Sequence, residues 1–170
     1  MQLLPTKQDS QLLTHPDFDM RRYAGLWHEY ARLPNGYQVD CTGDVTAHYT
    51  LCDDDTMRVD FSCMNPDCEV LSATAEMRPS RRHEPVDPAK LEIRFSSDWL
   101  SAPSSVWRDH WMLYVDREYR HAMIGTPDRR CLWMLGRDRV PDRQALQDML
   151  RYAAKLGFSV YRVLRTGETG

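Results

Sequence analysis

Residues 23–33 read Y-A-G-L-W-H-E-Y-A-R-L and decide the fold. The side chains alternate along this stretch and place Trp27, Glu29 and Leu33 in one row. Such a period of two is typical of a β-strand rather than of an amphipathic helix. Gly25 comes two residues before the tryptophan, where the lack of a Cβ leaves room for the indole to lie over backbone. The stretch therefore predicts the first strand of a sheet.

A second stretch, residues 114–137, supports this interpretation from far down the chain. It reads Y-V-D-R-E-Y-R-H-A-M-I-G-T-P-D-R-R-C-L-W-M-L-G-R, in which apolar segments are separated by turn residues. This pattern predicts strands joined by tight turns. The stretch ends at Arg137, whose planar guanidinium is suited to stacking on an aromatic ring. We therefore expect Arg137 to cover Trp27.

Length and composition limit the class of protein. The chain has 170 residues, a net charge of -3 at pH 7 and a mean hydropathy of -0.62. This length predicts one domain over residues 1–170, able to bury about 70% of the surface that the unfolded chain exposes. Neither sign of charge forms a long block, which argues against a nucleic-acid partner. No apolar run approaches the ~18 residues of a membrane-spanning helix, so we expect a soluble protein.

The five cysteines, at positions 41, 52, 63, 68 and 131, leave at least one thiol unpaired within the chain. Cys63 and Cys68 flank a plausible hairpin turn and could form a disulfide across it. Residues 1–19 show neither a secretory signal nor a cysteine for lipid attachment. The odd number and the missing signal favour five reduced thiols over any bridge. The sequence contains no C-x-x-C pair, so no metal site is predicted.

Alternation of apolar and polar residues predicts seven more strands, near residues 45–51, 57–63, 71–77, 91–95, 106–115, 119–125 and 130–137. The strand at 106–115 is bulky in both rows, so an element should cover its outer face. Residues 141–156 predict that element, a helix that begins at a proline, has one apolar stripe and ends before Gly157. A short final strand is expected near residues 158–164.

Eight evenly spaced strands followed by one helix predict an all-β fold. The expected architecture is an eight-stranded up-and-down antiparallel β-barrel over about residues 23–137, with the C-terminal helix packed outside. Eight strands enclose just enough space for one small ligand when the inward side chains are modest in size. Function is therefore expected inside the barrel.

Several motifs together resemble one known family. They are G-L-W followed by H-E-Y-A-R-L-P, then V-T-A-H-Y-T-L, then the block 114–137 and the L-G-F after the helix. From about residue 17 to residue 165 the chain is similar to the lipocalins, in particular to the bacterial branch that groups with apolipoprotein D. The resemblance implies that Gly25, Trp27 and Arg137 are the structural signature, the last two closing the barrel floor.

The same resemblance implies a function and a compartment. Members of this branch bind fatty acids, lysophospholipids or other small hydrophobic ligands, usually in the periplasm or at the outer membrane. The chain departs from that pattern because it shows no lipid-attachment cysteine. Peripheral membrane association, a cytoplasmic location, and a monomer or a homodimer therefore all stay open.

Alternation within a barrel predicts which side chains face a ligand. Alanines leave space there and methionines adapt to the shape of a guest. Without the resemblance, a solid core is the better interpretation of these residues; with it, a cavity is favoured. The predicted ligand-binding residues are Ala31, Ala47, Tyr49, Val59, Phe61, Ala73, Ala75, Met77, Ile93, Phe95, His110, Met112, Tyr114, His121 and Met123.

Polar groups in the same rows suggest how a head group is held. His110, Tyr114 and His121 can bind a carboxylate or phosphate, with a protonated histidine supplying charge. Glu29 is expected to form a structural buried pair with a histidine. Ligand access is expected beside residues 34–43 and the loop around Trp99.

We therefore expect a non-catalytic carrier that needs no cofactor. One alternative is a lipocalin-fold enzyme acting on a lipid-like substrate, with Glu29, His110, Tyr114 and Cys131 as acid/base or thiol groups. The sequence contains no nucleophile-plus-base motif that would favour it. A second alternative is a haem or tetrapyrrole binder, although no spacing singles out an axial histidine. A third is an interaction domain with a filled interior.

Overall fold

The computed structural model describes residues 11–36, 38–96 and 106–167. A short helix, α1 (Met20–Tyr23), precedes the sheet, and helix α2 (Arg143–Lys155), a 3-10 turn (Val160–Arg162) and strand β9 (Leu164–Arg165) follow it. The sheet strands are β1 (Gly25–Arg32), β2 (Gly43–Leu51), β3 (Met57–Met64), β4 (Val70–Pro79), β5 (Lys90–Phe95), β6 (Arg108–Val115), β7 (His121–Gly125) and β8 (Leu132–Gly136).

Strands β1 to β8 form a closed antiparallel barrel. Each strand pairs with the next, β8 pairs with β1, and β1 pairs with β2. Strand β9 adds to β1 on the outside. Closure removes the unpaired edges that an open sheet would expose. The predicted eight-stranded up-and-down barrel with one C-terminal helix outside is confirmed.

The closed end of the barrel is built around Trp27 and Arg137. Trp27 is fully buried, and the guanidinium carbon of Arg137 lies 3.8 Å from the centre of its ring. The same guanidinium donates to four backbone carbonyls, those of Tyr119, Leu26 and Arg22 at 3.0 Å each and that of Tyr23 at 3.3 Å. One side chain therefore ties α1, β1 and the β6–β7 turn together over the indole, and the predicted contact of Arg137 with Trp27 is present.

Gly25 is required at the start of β1 for two reasons. Its φ of +107° lies in a region that favours glycine, and a Cβ there would come within 3.1 Å of Nη1 of Arg137. The chain then enters β1 directly under the guanidinium, and the Trp27 indole N–H donates to the carbonyl of Tyr23 at 2.8 Å. The glycine thus permits the close packing that seals this end.

Helix α2 covers the outer face of the barrel. It begins after Asp142, whose carboxylate accepts from the backbone N–H of Ala145. Its buried side chains, Leu146, Met149 and Ala153, belong to one apolar cluster with the outward residues of β6, β7 and β8. The cover predicted for the bulky strand at 106–115 is therefore α2. Within the described residues, no helix combines the length and apolar character needed to cross a membrane.

Two β-bulges change which face the later residues of a strand occupy. One lies between Glu29 and Ala31 in β1, and the other between Met112 and Tyr114 in β6. A bulge inserts one residue, so the alternation after it is reversed. Ala31 and Tyr114, predicted to face the interior, lie instead in the outer cluster beneath α2.

Strand β7 has the opposite face inward from the one predicted. Ala122 and Ile124 belong to the barrel interior, whereas Met123 packs in the outer cluster under α2. His121 also faces outward, where its ring contacts Tyr30 at 6.2 Å between ring centres. Both rows of this short strand carry apolar residues, so hydrophobicity alone does not choose between them.

Replacing Arg137 by lysine should lower the free energy of unfolding by about 2 kcal/mol, because lysine keeps the charge but cannot donate in three directions from a stacked plane. Urea denaturation measures this change. Arg139→Lys is the matched control, since that side chain is 75% exposed and contacts Asp44 at the surface; a shift below about 0.5 kcal/mol is expected. Similar small shifts in both variants would contradict a structural role for Arg137.

Candidate ligand-binding site

The open end of the barrel contains a cavity of about 520 Å³. This volume lies within the range of about 300–1,000 Å³ that is usual for pockets that bind small molecules. The wall is mostly apolar and includes Ala47, Phe61, Ile93, Phe95, Ile124 and Leu135. Side chains therefore fill part of the barrel interior, and the rest is an open cavity.

The predicted ligand-binding residues fall into three groups. Those on the cavity wall are Ala47, Tyr49, Phe61, Ile93, Phe95 and His110. Those that belong to the packed interior and not to the wall are Val59, Ala73, Ala75, Met77 and Met112. Those on the outside of the barrel are Ala31, Tyr114, His121 and Met123. A binding role for the first group stays a prediction, and the inward placement of the last group was wrong.

The alanines of β4 shape the cavity indirectly. Ala73 pairs with Phe61 on β3, and Ala75 pairs with Phe95 on β5. Because β4 carries only methyl side chains at these two positions, the two phenylalanine rings approach to 5.6 Å between centres. The space left by the alanines is thus taken by an aromatic pair, which forms part of the wall.

Aromatic side chains fill the closed half of the barrel. The Tyr23 ring stacks on Trp27 at 5.0 Å and meets Tyr49 edge-on at 4.6 Å between ring centres. Burial raises the pKa of Tyr49 to about 12, so its hydroxyl keeps its proton even in alkaline solution. This packing limits a guest molecule to the open half.

A buried carboxylate stands on the wall but is already fully bonded. Glu29 accepts from Nη1 of Arg32 at 2.8 Å, from Nε2 of Gln38 at 2.9 Å and from the hydroxyl of Thr166 at 2.5 Å. Glu29 and Arg32 are three residues apart in one strand and share a face because of the β1 bulge. The predicted buried pair therefore exists, but its partner is arginine and not histidine.

Gln38 extends this network into the loop between β1 and β2. Its side-chain oxygen accepts from the indole N–H of Trp133 at 2.7 Å and from Asn35 at 2.9 Å. Arg32 also donates to the carbonyl of Cys41 at 2.9 Å. The network ties the loop to the barrel wall. Gln38 and Trp133 were not predicted from the sequence, because a polar loop residue and one more aromatic residue in a strand carry no distinctive pattern.

A disulfide joins Cys41 and Cys63 at the cavity wall. The expectation of five reduced thiols was wrong, and so was the alternative bridge between Cys63 and Cys68. The backbone N–H of Thr42 donates to the carbonyl of Met64, which brings Cys41 beside Cys63 in the barrel interior. Cys68 lies exposed in the turn after β3 and is unpaired.

His110 is a buried histidine on the cavity wall. It is 6% exposed, and its ring lies 5.5 Å from that of Trp133. Burial lowers the pKa of His110 to about 4, so the imidazole is neutral at pH 7. Among residues 11–36, 38–96 and 106–167, no group is a hydrogen-bond partner of its buried Nε2. The expected protonated histidine is therefore absent from the cavity at neutral pH.

The mouth of the cavity is bounded by two connections. On one side lies the loop that carries Gln38 and Cys41, which includes the predicted access region at residues 34–43. On the other side lies the turn from Thr126 to Cys131 between β7 and β8. The other predicted access point, the loop around Trp99, lies outside the described residues.

His110 should make the folded protein lose stability as the pH falls. Its pKa is about 4 in the folded state against a usual 6.5, so the unfolded chain binds the proton more readily below pH 6.5. Between pH 6.5 and about 4 this residue should lower the free energy of unfolding by up to about 1.4 kcal/mol per pH unit. Urea denaturation across this range measures the slope.

His110→Phe should show a shallower fall, because phenylalanine has no proton to bind. His48→Phe is the control, since His48 is exposed on β2, and its slope should match that of the unchanged protein. If both variants lose stability as steeply as the unchanged protein, another group causes the acid sensitivity.

A family model described as a lipocalin-like domain matches residues 18–168. The chain is 31% identical over 156 residues to outer membrane lipoprotein Blc of Citrobacter freundii, covering 91% of this chain and 81% of that protein. It is 28% identical over 152 residues to temperature-induced lipocalin-1 of Arabidopsis thaliana, covering 89% and 80%. Among solved structures, lobster apocrustacyanin A1 superposes with a TM-score of 0.69 at 15% identity, covering 89% of this chain and 81% of that one.

Proposed function

Because this chain belongs to the lipocalin family, we propose that its cavity binds and carries a small hydrophobic ligand of the lipid class, such as a fatty acid or a lysophospholipid. The observation that carries this proposal is the apolar wall around about 520 Å³ in a barrel whose other half is packed. Burial of an alkyl chain there gains about 0.8 kcal/mol per methylene. That gain offsets the cost of association and favours long chains.

We propose further that the protein is a carrier and not an enzyme. Three of the four side chains that the enzyme alternative would use, Glu29, Tyr114 and Cys131, are unsuited to that role. The Glu29 carboxylate accepts three hydrogen bonds, and Tyr114 lies outside the barrel. Burial raises the pKa of the Cys131 thiol, which disfavours the nucleophilic thiolate. These contacts support binding without turnover.

The compartment we propose is the periplasm or the outer membrane. The relative from Citrobacter freundii is named an outer membrane lipoprotein. The bridge between Cys41 and Cys63 is consistent with this location, because disulfides persist in oxidising compartments such as the periplasm. Both observations support the proposal independently of any membrane anchor.

A series of straight-chain fatty acids tests the proposed function. Each added pair of methylenes should strengthen binding by about tenfold, because each methylene contributes about 0.8 kcal/mol, until the chain fills the cavity. Displacement of a fluorescent fatty-acid probe measures the dissociation constants. An affinity independent of chain length would place binding outside the cavity.

Ile93→Trp places a larger side chain on the cavity wall and should weaken binding of the longest chain by at least about tenfold, the equivalent of two methylenes. Val140→Trp is the matched control, because the same indole is added at a position 78% exposed. Thermal unfolding checks that both variants fold. Equal affinity in the two folded variants would contradict the proposal.

A further inference from the structure

We propose that His110 determines the specificity of the cavity by selecting hydrophobic ligands that carry an uncharged hydrogen-bonding group, such as a hydroxyl, at the end that lies deepest. This inference rests on the proposed ligand-binding function and narrows it. The recognised part of the ligand is its leading end, and the recognising atom is Nε2 of His110.

The position of His110 marks the floor of the cavity. Its partner across the sheet is Leu91, which belongs to the packed interior. Two residues further along β6, Met112 is fully buried in that interior and does not line the cavity. The part of a ligand that reaches His110 is therefore its leading end, and the rest of the molecule extends towards the mouth.

The imidazole has a hydrogen-bonding atom that is available to this leading end. Within the described part of the chain, the buried Nε2 has no partner. Leaving such an atom unpaired in an apolar site costs free energy, which a ligand recovers if it supplies a partner. Two other polar side chains of the wall, Glu29 and Gln38, are already engaged, because they bind each other and Gln38 also binds Trp133.

The chemistry of a neutral imidazole favours a hydroxyl over an ionised group. Its two ring nitrogens are one donor and one acceptor, and a hydroxyl can pair with either role of Nε2. A carboxylate can only accept, and it would carry its charge into an apolar floor beside an uncharged ring. Of the cations that line the cavity, Arg108 stands at the start of β6 and Arg130 lies in the turn at the mouth. An ionised head group is therefore better placed at the mouth.

Dodecanol, tridecane and dodecanoate are matched probes of this selection, and displacement of an apolar fluorescent probe measures their binding. His110→Phe should weaken binding of dodecanol by about tenfold, the loss of one hydrogen bond, and change binding of tridecane by less than about twofold. Tyr114→Phe is the control, because that hydroxyl lies outside the barrel, and it should leave both affinities unchanged.

The NMR signal of the His110 ring nitrogens gives a second readout in the unmodified protein, which does not depend on a variant that folds. The Nε2 resonance should shift when dodecanol binds and stay in place when tridecane binds. Equal losses for dodecanol and tridecane in His110→Phe, an unmoved Nε2 signal, or a His110-dependent preference for dodecanoate would overturn the inference. So would a haem absorption band that disappears in His110→Phe, since Nε2 would then be a metal ligand. If none of the three probes binds, the proposed function fails instead.

Discussion

The stack of Arg137 on Trp27 is the constraint on which the cavity depends. The indole fills the end of the barrel, Tyr23 stacks on the indole, and Tyr49 packs against Tyr23. The three rings are in contact one after another and fill the closed half of the barrel as far as Tyr49. The cavity with its apolar wall begins there. A barrel of eight strands can be solid or hollow. Here the aromatic column divides it into a packed half and a hollow half.

Structural features that follow from one local rule could be predicted from the sequence. Period-two alternation located the strands, Gly25 and Trp27 located the start of β1, and the apolar stripe before Gly157 located α2. Arg137 was predicted to cover Trp27, and the two side chains are in contact. These features follow from backbone geometry and side-chain shape, which act over a few residues or through a single complementary pair.

Structural features that depend on the register between strands could not be predicted from the sequence. The bulges at Glu29 and at Met112 leave no mark in the alternation, yet they move Ala31 and Tyr114 to the outside. Without the β1 bulge, Glu29 and Arg32 would lie on opposite faces of the strand, so a histidine and not Arg32 was predicted as the partner of Glu29. The partner of Cys63 was missed because Cys41 comes beside it only after β2 has paired with β3. A disulfide is decided by proximity in space and not by spacing in sequence.

The hydroxyl of Thr166 connects the segment after β9 to the wall of the cavity. It donates to the Glu29 carboxylate, and the backbone N–H of the same residue donates to the carbonyl of Tyr30. Through Glu29 and Gln38 this contact reaches the loop at the mouth. An affinity tag fused close behind this threonine would therefore load its contact with Glu29 and, through that contact, the loop at the mouth. The position of a tag thus bears on the shape of the cavity.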